Sequence, residues 1–146
     1  NPASPWFGID FRNEPNRYQI GRGEQGVLTA EPYKSEILPH WRFRTPEIAQ
    51  ASAEKIFAMF EAYRDAGDFV GMDMARKFLQ MGWTRSRRYA NHASGRKYDP
   101  ESGEVLPQAV DPVKAESAAI FRTAYDLARA DPVYVAARAA WRARES

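Results

Sequence analysis

Residues 68–82 read DFVGMDMARKFLQMG, and this stretch predicts the central helix of the fold. Its polar side chains recur at i, i+3, i+4 and i+7, at Asp73, Arg76, Lys77 and Gln80. Nearly every other position is apolar, and a helix with one thin polar stripe is typical of a protein core. Asp68 is a suitable N-cap and Gly82 a suitable end. We therefore predict a helix over 69–81 as the most buried element.

Start signals predict further helices on both sides of this segment. Thr45 followed by Pro46 opens a helix over 46–66, whose outer stripe runs from Glu47 to Asp65 and is acidic. Thr84 is the predicted N-cap of a short third helix that reaches His92. The triplet Asp-Pro-Val occurs at 111–113 and again at 131–133, which predicts helices over 112–129 and 132–144.

The N-terminal third lacks a helical period and is rich in Pro, Gly and aromatic residues. The stretches 18–20 and 27–29 flank the glycine-rich segment Gly21–Gly26, which predicts a short β-hairpin. The fold class is therefore mainly α, with four to five helices and a small irregular N-terminal region containing this hairpin; an α+β fold is the alternative.

The length of 146 residues predicts a single domain over 1–146. We divide it into an irregular and hairpin region (1–45), a helical core (46–98), a linker (99–110) and an alanine-rich helical tail (111–146). Because alanine buries little apolar area, we expect the tail from 131 onward to be dispensable to the core.

Composition excludes several classes of function. The chain has no cysteine, which rules out disulfides, zinc–thiolate sites and thiol catalysis, and fits a cytoplasmic protein. No apolar run approaches the ~18 residues that a membrane span requires, so we expect no membrane partner. Neither of the two histidines lies in a recognised metal-binding motif, and we expect no metal and no cofactor.

The distribution of charge is the strongest functional signal. Residues 74–98 hold seven cations and no Asp or Glu, whereas the rest of the chain holds 14 cations and 19 carboxylates. Aromatic residues are interleaved with these cations, and nucleic-acid binding uses positive charge for phosphates and flat side chains for bases. We predict a nucleic-acid or other polyanion site on this segment, made by Arg76, Lys77, Trp83, Arg85, Arg87, Arg88, Tyr89, His92, Arg96 and Lys97.

Two interpretations of the basic segment compete at this stage. Its arginines either face solvent, or they pair internally with the acidic stripe of the helix over 46–66. A smaller basic-aromatic cluster, Trp41-Arg42-Phe43-Arg44, predicts an extended segment that adds to the basic surface.

Two other classes of function remain open. A small enzyme acting on a phosphorylated or nucleotide substrate would hold phosphate with the glycine-rich loop and the arginines. Its acid–base residues would come from Glu24, His40, Asp73 or His92. A G-x-G-x-x-G pattern is present at 21–26, but no buried strand precedes it and Pro32 interrupts any helix that follows.

The third class is a protein-interaction subunit, including a homo-oligomer, that packs its alanine-rich tail on a partner.

Several stretches resemble one known family. They are YQIGRGEQGVL at 18–28, YKSEILPHWRF at 33–43, GDFVGMDMARKFLQMG at 67–82, YANH at 89–92 and GRKYD at 95–99. Together they are similar to domain of unknown function 4385, a family of bacterial and phage-borne proteins, over about residues 8–100. The resemblance implies a soluble cytoplasmic protein and brings no activity, cofactor or catalytic residue. The tail carries no part of the resemblance.

Overall fold

The computed structural model describes residues 6, 8–21, 28–91, 100–104 and 111–145. This part of the chain is mainly helical, as predicted. Its α-helices are α1 (Tyr33–Ile37), α2 (Pro46–Asp65), α3 (Phe69–Asn91), α4 (Pro112–Ala130) and α5 (Pro132–Glu145). Short 3₁₀ turns occupy Pro15–Arg17 and Leu38–His40. No helix in the described ranges is both long enough and apolar enough to cross a lipid bilayer.

The boundaries of α2 confirm the predicted caps. The Thr45 hydroxyl accepts a hydrogen bond from the Ile48 backbone N–H at 3.2 Å, and Pro46 begins the helix. At the other end, Gly67 has φ 70°, a left-handed conformation that glycine adopts without steric cost. The acidic stripe from Glu47 to Asp65 lies on the outer side, while Ile56 and Phe60 are buried.

Helix α3 is longer than predicted. It is the most buried helix, with Phe78 and Leu79 fully inaccessible, but it continues through Gly82 and Thr84 to Asn91. The predicted end at Gly82 and the separate third helix are therefore wrong. Gly82 is needed for close approach, because a Cβ at this position would overlap the ring of Phe121 on α4. Glycine here lets α4 pack tightly on α3.

The two C-terminal helices begin at the predicted caps and belong to the core. The carboxylates of Asp111 and Asp131 each accept two backbone N–H bonds from the first turns of α4 and α5. Phe121 and Ala128 are fully buried, and Tyr134 of α5 is 2% exposed. The expectation that the tail is dispensable is not supported, because a few large aromatic side chains supply the burial that alanine cannot.

The predicted β-hairpin is not supported. The described residues contain no β-strand, and their only β-type pairing is an isolated parallel bridge between Asp10 and Glu31. The backbone groups of 18–20 bond to α5 instead. The Ile20 N–H donates to the Glu145 carboxylate at 2.7 Å, and the Tyr18 carbonyl accepts from the Trp141 indole at 2.9 Å.

Most of the glycine-rich segment Gly21–Gly26 and most of the predicted linker at 99–110 lie outside the described residues. Residues 100–104 form a turn and are exposed. The division of the chain into four zones stays a prediction.

Candidate functional site

The predicted basic site separates into buried and exposed residues. Arg76 is 7% exposed and Lys77 is 0% exposed, so neither can meet a macromolecule at the surface. This corrects their assignment to the binding face. Arg87 and Arg88 are exposed, and Arg85 is half-buried. Three of the predicted site residues lie outside the described ranges: His92, Arg96 and Lys97.

Arg76 and Lys77 are held by the buried carboxylate of Asp73. Its oxygens lie 2.7 Å from Nη2 of Arg76 and 3.7 Å from Nζ of Lys77. The Tyr134 hydroxyl donates to the same carboxylate at 2.6 Å, and the Tyr18 hydroxyl also donates to it. These five side chains form the buried ion cluster.

The ion cluster shifts the pKa values of its members. Burial alone would raise the pKa of Asp73, but the charges of Arg76 and Lys77 and the two tyrosine hydrogen bonds outweigh burial and lower it. Burial lowers the pKa of Lys77 to about 8, although the negative charge of Asp73 opposes this shift. The cluster is a structural feature of the core.

Trp83 packs against other side chains of the protein. Its ring stacks on Tyr125 with centroids 5.9 Å apart. The guanidinium groups of Arg87 and Arg122 lie 4.6 and 4.3 Å from the Trp83 ring centroid. Trp83 and Arg87 thus form part of a packed aromatic-cation layer between α3 and α4.

Tyr89 and the Trp41–Arg44 cluster meet in one open groove of about 640 Å³. The segment between the second 3₁₀ turn and α2 supplies one wall, and the ends of α3 and α4 supply the other. The groove is lined by Trp41, Arg42, Phe43, Arg44, Ile48, Tyr89 and Lys114. We call it the basic-aromatic groove. Of the predicted site residues that the structure describes, only Tyr89 lines this groove.

The walls of the groove are fixed by hydrogen bonds. The Trp41 indole N–H donates to the Phe78 carbonyl of α3 at 3.0 Å. The Arg42 backbone N–H donates to the Ser52 hydroxyl at 3.0 Å, which attaches the segment to α2. Lys114 of α4 donates from Nζ to the Arg44 carbonyl at 2.8 Å. Sequence reasoning missed Lys114, because nothing near it in the chain suggested that it reaches residue 44.

The aromatic rings of the groove are held at defined angles. Trp41 and Phe43 meet edge to face with centroids 5.0 Å apart, and the Arg85 guanidinium lies 5.5 Å from the Trp41 centroid. Tyr89 is 39% exposed at the end of α3. The groove therefore presents aromatic surface beside cations.

The described residues that line the groove include no carboxylate. Within the described part of the chain, the acidic stripe does not pair with the exposed arginines. Glu54 accepts a hydrogen bond from Gln50, and the carboxylates of Glu61 and Asp65 pair with Arg64 on their own helix. The structure thus gives no support to internal pairing of Arg42, Arg44, Arg85, Arg87 or Arg88 with that stripe.

The residues proposed for enzymatic acid–base chemistry do not converge where the structure describes them. His40 is exposed, and Asp73 is fully buried and occupied by the ion cluster. Glu24 and His92 lie outside the described ranges. The described residues contain no group of three or more His, Cys, Asp or Glu side chains arranged to hold a metal ion.

Fold and groove together define a mainly helical domain with a basic-aromatic groove on one side. The chain belongs to the family described as Domain of unknown function (DUF4385), whose sequence model matches residues 3–144. The match includes α4 and α5, which the resemblance seen in the sequence did not reach. No curated protein and no solved structure matches the chain.

Proposed function

We propose that this chain is a non-enzymatic nucleic-acid binding module that takes a single strand in the basic-aromatic groove. The observation that carries the proposal is the meeting of three aromatic side chains and three cations in a groove whose described lining residues include no carboxylate. Aromatic rings stack on unpaired bases, and cations track the phosphate backbone.

The groove favours a single strand because its aromatic surface is reachable only by bases that are not stacked in a duplex. Arg42 and Arg44 alternate along an extended segment, and both are exposed. Arg88 is exposed on α3 near Tyr89 and extends the positive surface beyond the groove. No carboxylate among the described lining residues competes with phosphates for these charges.

The experiment measures binding of a fluorescein-labelled oligothymidine of about 12 nucleotides by fluorescence anisotropy over a range of salt concentrations. We expect affinity to fall with salt, because binding releases counterions from the phosphates. The double variant Arg42→Gln/Arg44→Gln should bind at least ~10-fold more weakly, with a log–log salt slope reduced by about 1.4.

The matched control is the double variant Arg17→Gln/Arg142→Gln, which removes two exposed charges far from the groove lining. We expect it to bind like the wild type. Equal losses in both double variants, or no binding by the wild type at ~50 mM salt, would overturn the proposal.

A further variant separates nucleic acid from other polyanions. Tyr89→Leu removes a ring that would stack on a base, which should weaken oligothymidine binding by ~10-fold. Binding of long-chain polyphosphate, which has no bases, should be unchanged. If Tyr89→Leu leaves both affinities unchanged, the groove binds polyanions without recognising bases.

A further inference from the structure

A second cavity of about 370 Å³ lies where α3, α4 and α5 meet, away from the basic-aromatic groove. Three arginines from three different helices line it: Arg76 of α3, Arg129 of α4 and Arg138 of α5. Tyr125 and Tyr134 add phenol groups to the lining. The volume is within the range of small-molecule sites.

We call this cavity the arginine pocket, and Arg76 forms its rigid floor. Its Nε donates to the Tyr134 hydroxyl at 3.0 Å, Nη1 donates to Gln80 at 2.7 Å and Nη2 donates to Asp73 at 2.7 Å. These contacts use three of the five N–H groups of a guanidinium and leave one on each terminal nitrogen. The side chain is therefore oriented in advance and needs no reordering to receive a ligand.

The other two arginines have different partners. The Asp126 carboxylate lies 2.8 Å from Arg129 and 3.0 Å from Arg122, so two cations share it. The Arg129 guanidinium also lies 4.9 Å from the Tyr125 ring centroid. Arg138 forms no ion pair with any residue that the structure describes. Its charge adds to the effect of burial in lowering the pKa of Lys77, which places it within electrostatic reach of the ion cluster.

The pocket thus concentrates positive charge that the surrounding carboxylates do not balance. Asp73 already compensates two cations, Arg76 and Lys77. Three arginines that line one small space suit a dianion, because guanidinium groups can donate paired N–H bonds to oxygens of one tetrahedral group. Val135 and Ala139 give the pocket an apolar wall that suits the uncharged part of a small organic molecule.

We propose that the arginine pocket binds the phosphate group of a small phosphomonoester. The phosphate lies against Arg138 and Arg129 above the Arg76 floor, and the organic part lies along Val135. This site is separate from the basic-aromatic groove and does not depend on nucleic-acid binding.

The test is isothermal titration calorimetry with ribose 5-phosphate at constant ionic strength, with ribose and inorganic phosphate as comparison probes. We expect ribose 5-phosphate to bind more tightly than either comparison probe. Arg138→Gln should weaken its binding ~10-fold or more, because a charged hydrogen-bond donor is lost. The control Arg142→Gln removes one charge from the same helix outside the pocket lining and should bind normally.

Thermal unfolding accompanies each titration, and Arg138→Lys is measured as well, because it keeps the charge but not the planar donor group. Intermediate affinity of Arg138→Lys in a protein that melts like the wild type supports the pocket. Equal affinity of Arg138→Gln and Arg142→Gln, or ribose 5-phosphate binding no better than ribose, overturns it.

The two proposals can be tested independently of each other. Arg138→Gln should leave oligothymidine binding unchanged, and Arg42→Gln/Arg44→Gln should leave ribose 5-phosphate binding unchanged. If the groove variant abolishes ribose 5-phosphate binding while Arg138→Gln does not, the phosphate site lies in the groove and the arginine pocket is refuted.

Discussion

Replacing Asp73 by Asn should destabilise the protein more than any other removal of a single charge in the core. The substitution keeps the shape of the side chain and removes the only carboxylate of the buried ion cluster. Arg76 and Lys77 then remain buried at 7% and 0% exposure with their counter-charge gone. The Asn amide also brings two N–H donors to a place where Tyr18 and Tyr134 both donate.

The expected loss follows from the burial of the cluster. Breaking a buried ion pair by removing one partner typically costs ~3–5 kcal/mol, because the remaining charge is left uncompensated. A domain of this size loses about 2–4 °C in Tm per kcal/mol, so Asp73→Asn should melt ~6–20 °C below the wild type. Such a loss is a large share of the ~5–15 kcal/mol that stabilises a typical protein.

The assay is equilibrium urea unfolding followed by circular dichroism at pH 7, with Asp65→Asn as the matched control. Asp65 is exposed and pairs with Arg64 on the surface of α2, so its amide variant should change the free energy of unfolding by less than ~0.5 kcal/mol. A loss below ~1 kcal/mol for Asp73→Asn would refute the reasoning, because the two cations would then not depend on this carboxylate.

Three further predictions concern packing and pH. Gly82→Ala should destabilise by ~1–3 kcal/mol through overlap with the ring of Phe121, although alanine favours a helix by ~1 kcal/mol; a net gain in urea unfolding would contradict the close approach. The lowered pKa of Lys77, about 8, means that the folded state releases this proton before the unfolded state does, so stability should rise with pH. Between pH 7.5 and 9.5 the stability of the wild type should rise by about 2 kcal/mol relative to that of Lys77→Met, because the tyrosines titrate alike in both proteins; parallel profiles would contradict this. Deleting residues 131–146 removes the buried side chain of Tyr134 and should abolish cooperative thermal unfolding, whereas a sharp transition in the shortened chain would show that the tail is dispensable.

The helix starts were predictable from the sequence because caps are local. Thr45, Asp111 and Asp131 each precede a proline and accept N–H bonds from the next turn, so three or four residues contain the whole signal. The role of Gly82 depends on a residue that is distant in the sequence. A glycine that ends a helix and a glycine that admits a ring from another helix look the same in one sequence, and only the position of Phe121 distinguishes them.

The sequence indicated part of the basic-aromatic groove, although none of the five described cations predicted at 74–98 lines it. The Trp41–Arg44 cluster and Tyr89 were both recognised as basic-aromatic elements, and the groove contains both. Their contact depends on the packing of the 41–44 segment against α3, through the bond from Trp41 to the Phe78 carbonyl. Lys114 was missed for the same reason, because its role rests on a bond to residue 44, which is 70 positions away.

Arg76 and Lys77 were misplaced because their partner Asp73 is fully buried and holds both cations in the core. The continuity of α3 also sets the relative positions of Arg76 and Arg85. Because α3 is continuous, the nine residues from Arg76 to Arg85 make about 2.5 turns, which places these two arginines on opposite sides of the helix. Arg85 then lies over Trp41 beside the basic-aromatic groove, while Arg76 faces Tyr134 at the arginine pocket. The uninterrupted helix thus places Arg85 beside the basic-aromatic groove and Arg76 at the arginine pocket, which are the two proposed anion sites.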